Sequence, residues 1–259
     1  MAADNFGNCL TETLVHEGGW ADHPNDPGGA TMKGVTLATF RSYFGAKATK
    51  AQLRAITRDQ IETIYRDGYW EPVKGDTLAA GVDLVTFDYG VNSGPATARK
   101  QLLKVIGGTA AETVKKLCAR RLSIYQGLKH WKTFGKGWTR RIAAIEAKGV
   151  AWAMKAAAPS APTQGQLNAE AEAAKKKAGQ QTAGAGGAAA GSGGAAVAPS
   201  DATLDAVIGN DQVAAWILAG VVFAGVAMAI WLVWRAHVNR TRAAAFVAEA
   251  IEIELGDNP

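Results

Sequence analysis

Apolar residues recur at helical spacing from the start of the chain. Phe6, Leu10 and Leu14 form one stripe, with Cys9 beside them. Extending the stripe by three positions puts Glu17 at the edge of the buried face, and Gly18-Gly19 predicts a helix stop there. Thr49 with Gln52, Thr57 with Gln60, and Thr109 with Glu112 have capping-box spacing, so each pair predicts a helix start. Gly68 suits the end of the helix that begins near Arg58. Ser93 ahead of Pro95 opens another, with Ala98, Leu102, Leu103 and Ile106 on its apolar side. The only strands expected are short ones between Trp20 and Val35. The pattern predicts a mainly α-helical domain with a small β-hairpin.

Toward the C-terminus the pattern changes. Pro159 to Ser200 is mostly Ala, Gly, Ser and Pro, contains Lys175-Lys176-Lys177, and has no aromatic residue. It reads as a disordered linker over 159–212, with local helix over Gln164 to Ala178 where alanine dominates. Val213 to Trp234 then gives 22 consecutive uncharged, mostly apolar residues. That length predicts one transmembrane helix, for which ~20 residues suffice. Trp216 at one end and Trp231 and Trp234 at the other resemble interfacial belts. Gly220, Ala224, Gly225 and Ala229 have small-xxx-small spacing, which permits helix–helix self-association. The tail over 235–259 is charged and amphipathic, suited to a membrane surface or to solvent.

Charge is unevenly placed. Residues 1–158 hold 22 Lys and Arg against 14 Asp and Glu, and Arg99 to Lys155 holds 14 basic residues against only Glu112 and Glu146. A basic surface calls for an anionic partner. No nucleic-acid motif accompanies it, so nucleic acid is not expected. Arg235, Arg240 and Arg242 follow the apolar run, and Asp205 and Asp211 precede it, which favours a cytoplasmic C-terminus and an outward N-terminal domain. Against this, Met1 to Gly19 shows no signal-peptide pattern. The topology stays open on these grounds. Cys9 and Cys118 both fall at apolar helical positions and read as small buried residues. Two cysteines and four scattered histidines form no metal-ligand pattern, and no cofactor is expected.

The candidate chemistry lies near the N-terminus. Glu17, Asp26 and Thr31 are spaced Glu-x8-Asp-x4-Thr. A carboxylic acid at the edge of a buried stripe and at the negative end of a helix dipole is biased toward its protonated form. That is what a general acid needs. Asp26 sits in a polar glycine-rich loop, where it can orient water or offset oxocarbenium charge, and is equally an ordinary turn former. Thr31 is placed to help hold that water. Tyr65, Tyr69, Trp70, Tyr89 and Asn92 are candidates for a sugar cleft, with core packing the alternative for each aromatic. Trp131 and Trp138 suit either contact with peptide stems or stapling of adjacent helices.

His16-Glu17-Gly18-Gly19, then Asp26-Pro27-Gly28-Gly29-Ala30-Thr31 and Gly34-Val35, resemble the muramidases of glycoside hydrolase family 108. Tyr69-Trp70 and Phe87-Asp88-Tyr89-Gly90-Val91-Asn92-Ser93-Gly94 continue the resemblance. It implies a lysozyme-like unit over 6–94 with Glu17 as the acid, and a basic helical peptidoglycan-binding unit over 95–158. The order of Glu17, Asp26 and Thr31 is also similar to that of phage lysozymes. The implied activity is cleavage of the bond between N-acetylmuramic acid and N-acetylglucosamine in peptidoglycan. The expected setting is a phage endolysin held in a bacterial inner membrane by 213–234 and acting in the periplasm. A cell-encoded wall remodeller aiding secretion and a non-catalytic wall anchor are the alternatives.

Overall fold

A computed structural model of the chain describes residues 5–22, 29–159, 163–194 and 211–256, with side chains over 5–22, 29–159, 163–188 and 222–256. Two compact units result, Met1–Thr163 and Gln164–Pro259.

The first unit is helical apart from one hairpin. Helix α1 spans Phe6–Leu14 and buries Phe6, Cys9, Leu10 and Thr13. It stops before Glu17; the backbone N–H groups of His16 and Glu17 donate instead to Thr13 and Leu14 in a tighter turn. Strands β1 (Thr31–Met32) and β2 (Val35–Thr36) pair antiparallel, Met32 opposite Val35. Lys33 and Gly34 between them both have positive φ, the requirement of a two-residue type I′ turn. Thr36 caps α2 (Leu37–Phe44). The three expected capping boxes open α3 (Lys50–Arg54), α4 (Arg58–Tyr65) and α8 (Ala110–Gln126). Gly68 does not end the helix after α4. The chain passes through a π-turn, Arg66–Trp70, into the short α5 (Glu71–Val73), and stops at Lys74 with φ 58°.

Helix α6 (Val82–Ser93) is the axis of this unit. Every residue from Val82 to Gly90 is buried, and α1, α7 (Pro95–Leu102), α8 and α9 (Trp131–Ala157) pack around it. Its crossing with α9 depends on glycine: a Cβ on Gly149 would lie 3.0 Å from Val85 and 3.1 Å from the Gly81 carbonyl. Residues 95–158, expected as a unit of their own, therefore share one core with 6–94. On α7, Ala98 and Leu102 are buried as expected, whereas the helix ends there and Leu103 and Ile106, beyond it, face outward. Cys9 and Cys118 are both buried.

In the second unit, α10 (Thr163–Gly194) occupies much of the stretch expected as linker. The helix expected over Gln164 to Ala178 is present and extends further, because Leu167, Ala171, Ala174, Ala178 and Ala185 have a partner on which to bury. That partner is α11 (Asp211–Gly256), which contributes Ala236, Val238, Ala243, Phe246 and Ala250. Gln181 accepts from Asn239 at 2.8 Å and Glu254 from Gln164 at 2.9 Å, so the two helices run antiparallel. Up to Gly256 the amphipathic tail is thus a continuation of α11; Phe246 and Ala250 are buried, whereas Ile251 and Leu255 are exposed. The remaining linker residues, 195–210, lie outside the described residues. Among the described residues one helix, α11 from Val222, is long and apolar enough to cross a membrane. Phe223 (78%), Ile230 (65%) and Val233 (57%) are among its exposed apolar side chains.

Candidate active site

Glu17 follows α1 in a turn whose next two residues, Gly18 and Gly19, are exposed and impose no side-chain packing. Its position is set from across the fold. Arg141 on α9 places Nη1 2.9 Å from Glu17 Oε1, with the Glu17 side chain 18% exposed. The β1–β2 turn closes a second side: a Cβ on Gly34 would fall 3.0 Å from Glu17 Oε2 and against the Tyr65 hydroxyl. Only glycine fits there, since φ is +77° as well. Tyr65 donates to the Lys33 carbonyl at 2.8 Å, tying α4 to the hairpin turn.

Behind Arg141 lies a buried charge cluster. Its Nε and Nη2 donate to Asp88 Oδ1 at 3.0 and 2.7 Å. The other Asp88 oxygen takes Nη1 of Arg121 at 2.6 Å, and both of these side chains are fully enclosed. Arg121 also donates to Tyr125 and Asn92, each at 3.1 Å. Burial alone would push the Asp88 carboxyl up, but the two guanidiniums outweigh it and hold the group below the ordinary carboxylate range. Burial lowers the half-buried His16 imidazole; Asp88 opposes this, and Arg141 and Arg121 add to it. His16 therefore belongs to this electrostatic neighbourhood.

The cleft candidates divide. Tyr69 is half-buried with its ring 5.3 Å from that of Tyr65, and burial followed by the nearby Glu17 carboxylate raises both phenols. The π-turn lets Tyr69 stand beside Tyr65 next to the acid. Tyr65 itself is 2% exposed, so it forms a wall and offers no open stacking face. Trp70 and Tyr89 must be corrected: at 1% and 0% exposure they are core residues. Trp70 packs on Phe6 and Phe87, each with centroids 5.5 Å away, and its indole N–H donates to Asp76. Tyr89 lies against Tyr125 and under Arg121. Asn92 is exposed, but its carbonyl oxygen is taken by Arg121 and Tyr125.

Thr31 lies on β1, half-buried, and its hydroxyl donates to the Gly29 carbonyl at 3.2 Å. Asp26 lies outside the described residues. Within the basic stretch from Arg99 to Lys155, Arg121 and Arg141 point inward to Asp88, while Arg140 is exposed and Arg120 donates to Gln101. Trp138 sits 5.1 Å from Tyr125 and 6.1 Å from Trp131, which staples α8 to α9.

Sequence reasoning missed Arg121 and Arg141 as site residues. The available signal was Asp88, which with Asp83 places an acid on a mostly apolar helix; an acid buried there needs a cation or hydrogen-bond donors. The basic run from Arg99 to Lys155 supplies them.

The chain is matched over residues 10–94 by the family described as glycosyl hydrolase 108. Among solved structures it is similar to SagA of Brucella abortus, with 40% sequence identity and a TM-score of 0.51; the match covers 59% of this chain and 97% of that one. No curated protein matches it. With that identity over nearly all of SagA, the chain belongs to the glycosyl hydrolase 108 family and is a glycoside hydrolase of the lysozyme type.

Proposed function

We propose that the protein is a membrane-tethered N-acetylmuramidase that hydrolyses the N-acetylmuramic acid–N-acetylglucosamine bond of peptidoglycan, with Glu17 as general acid. The observation that carries this reading is the place of Glu17: one carboxylate, partly exposed, fixed between the Gly34 turn and Arg141 in a glycoside hydrolase fold. Glu17 gives its proton to the glycosidic oxygen as the C1–O bond breaks, and water adds at C1, its released proton passing to a carboxylate of the enzyme. Tyr69 and Tyr65 wall the cleft beside the acid. Asp26, in the loop after Gly19, is the proposed partner that holds the water or offsets oxocarbenium charge, assisted by Thr31. Exposed basic residues of 95–158 such as Arg140, Lys132 and Lys136 are suited to anionic groups of the wall.

The outward-facing apolar side chains of α11 support the tether, as does Arg235 stacked 4.7 Å over Trp231 at the end of the apolar run. We place the protein in the bacterial inner membrane, acting in the periplasm, as a phage endolysin. Glu17→Gln keeps the side chain's shape but has no proton to give. Full-length protein in detergent is expected to clear peptidoglycan on a zymogram, and Glu17→Gln to lose ~10²- to 10⁴-fold of that activity. A variant with half the wild-type rate would remove Glu17 from the role.

A further inference from the structure

We propose that Arg141 is a positioning residue of this reaction: it fixes the Glu17 carboxyl in the cleft. The inference rests on the reading of Glu17 as the acid. It makes α9, which lies beyond the 10–94 match, part of the active site.

Glu17 has little of its own to orient it. Its backbone is a turn between a finished helix and two exposed glycines. Arg141, by contrast, is held firmly. Nε and Nη2 form a fork on Asp88, whose second oxygen is bound to the fully enclosed Arg121. A planar guanidinium gripped along one edge points its remaining N–H groups in one direction. Here that direction is Glu17 Oε1, at 2.9 Å. Catalytic geometry is thereby referred to the most deeply buried ions of the unit, through one side chain.

The test is the steady-state kinetics on dye-labelled peptidoglycan, using full-length protein in detergent, for wild type, Arg141→Met, Arg141→Lys and Glu17→Gln, with each rate normalised to the folded fraction by circular dichroism. Arg141→Met is expected to lower kcat ~10²-fold with KM unchanged. Arg141→Lys keeps the charge but not the fork. It is expected to lower kcat about tenfold with KM unchanged. A wild-type kcat in folded Arg141→Met, or a loss that merely tracks the folded fraction, would overturn the proposal, since a purely structural residue alters only the amount of folded enzyme. Should Arg141→Met fail to fold, Arg141→Lys decides: a wild-type kcat there overturns the positioning role. An inactive wild type, or an active Glu17→Gln, defeats the functional reading itself. Active wild type, inactive Glu17→Gln and indifferent Arg141 variants defeat only this inference.

Discussion

In the first unit the side chains farthest from water include a carboxylate and a guanidinium, Asp88 and Arg121, both at 0% exposure. In the second, α10 and α11 meet through alanines, Leu167 and Phe246, while the large apolar residues Phe223, Ile230 and Val233 point outward. One unit encloses specific, directional ionic contacts in its core; the other buries mostly small side chains and exposes large ones. The first arrangement suits a site that must hold one carboxyl in one place, since ions in a closed interior tolerate little displacement. The second suits a segment whose surroundings are themselves apolar, where outward Leu, Ile and Phe side chains carry no penalty.

The sharpest way to break the comparison is to remove the central anion. Asp88→Ala leaves Arg121 enclosed without its counter-ion, and breaking a buried pair from one side costs about 3–5 kcal/mol. A fall of that size in urea-unfolding stability is expected. A change under about 1 kcal/mol would show that the cluster does not organise the core.

The next largest effect is expected at the hairpin turn. Gly34→Ala meets the Tyr65 hydroxyl and crowds Glu17 Oε2 at a position already at φ +77°, so the turn must shift away from the acid. Lytic rate should fall roughly 10²-fold while circular dichroism keeps its helical shape. Unaltered lysis would mean that the turn does not help to hold Glu17.

Much of this fold can be read from the sequence, for local reasons. The three capping boxes and the Lys33-Gly34 turn depend on residues three or fewer positions apart. Glu17 was legible because its stripe and glycines are neighbours in the chain. Arg141 was not: it is 124 positions from Glu17, and its partner Asp88 is 53 from it. Nothing local distinguishes Arg141 from the exposed Arg140. Trp70 and Tyr89 misled because aromatic content near a motif does not say which face is buried, and α6 is buried on every side. The helix α10 was under-read because alanine and glycine carry little hydrophobic signal until a partner helix lies close.

The second unit gives a milder test. Ser at Phe223, Ile230 and Val233 together should leave the melting of the first unit unchanged and move the protein from the membrane fraction to the soluble fraction. Continued pelleting with membranes would show that these outward side chains are not what anchors it.

The smallest effect concerns His16. Burial lowers its folded-state value below 6.5, so the unfolded chain takes up the proton first as pH falls. Its contribution to stability is complete above pH 6.5 and is lost as pH drops toward the lowered value. His16→Gln should flatten the fall in Tm below that pH by on the order of 1–3 °C. An identical slope in both proteins would show that His16 titrates alike folded and unfolded.

The central claim, hydrolysis at the muramic acid linkage, is tested most directly by identifying the new reducing ends. Peptidoglycan digested by the full-length protein in detergent, reduced with borohydride and analysed by mass spectrometry, should yield fragments ending in reduced N-acetylmuramic acid, absent with Glu17→Gln. Fragments ending in reduced N-acetylglucosamine, anhydro ends, or no fragments at all would contradict the account.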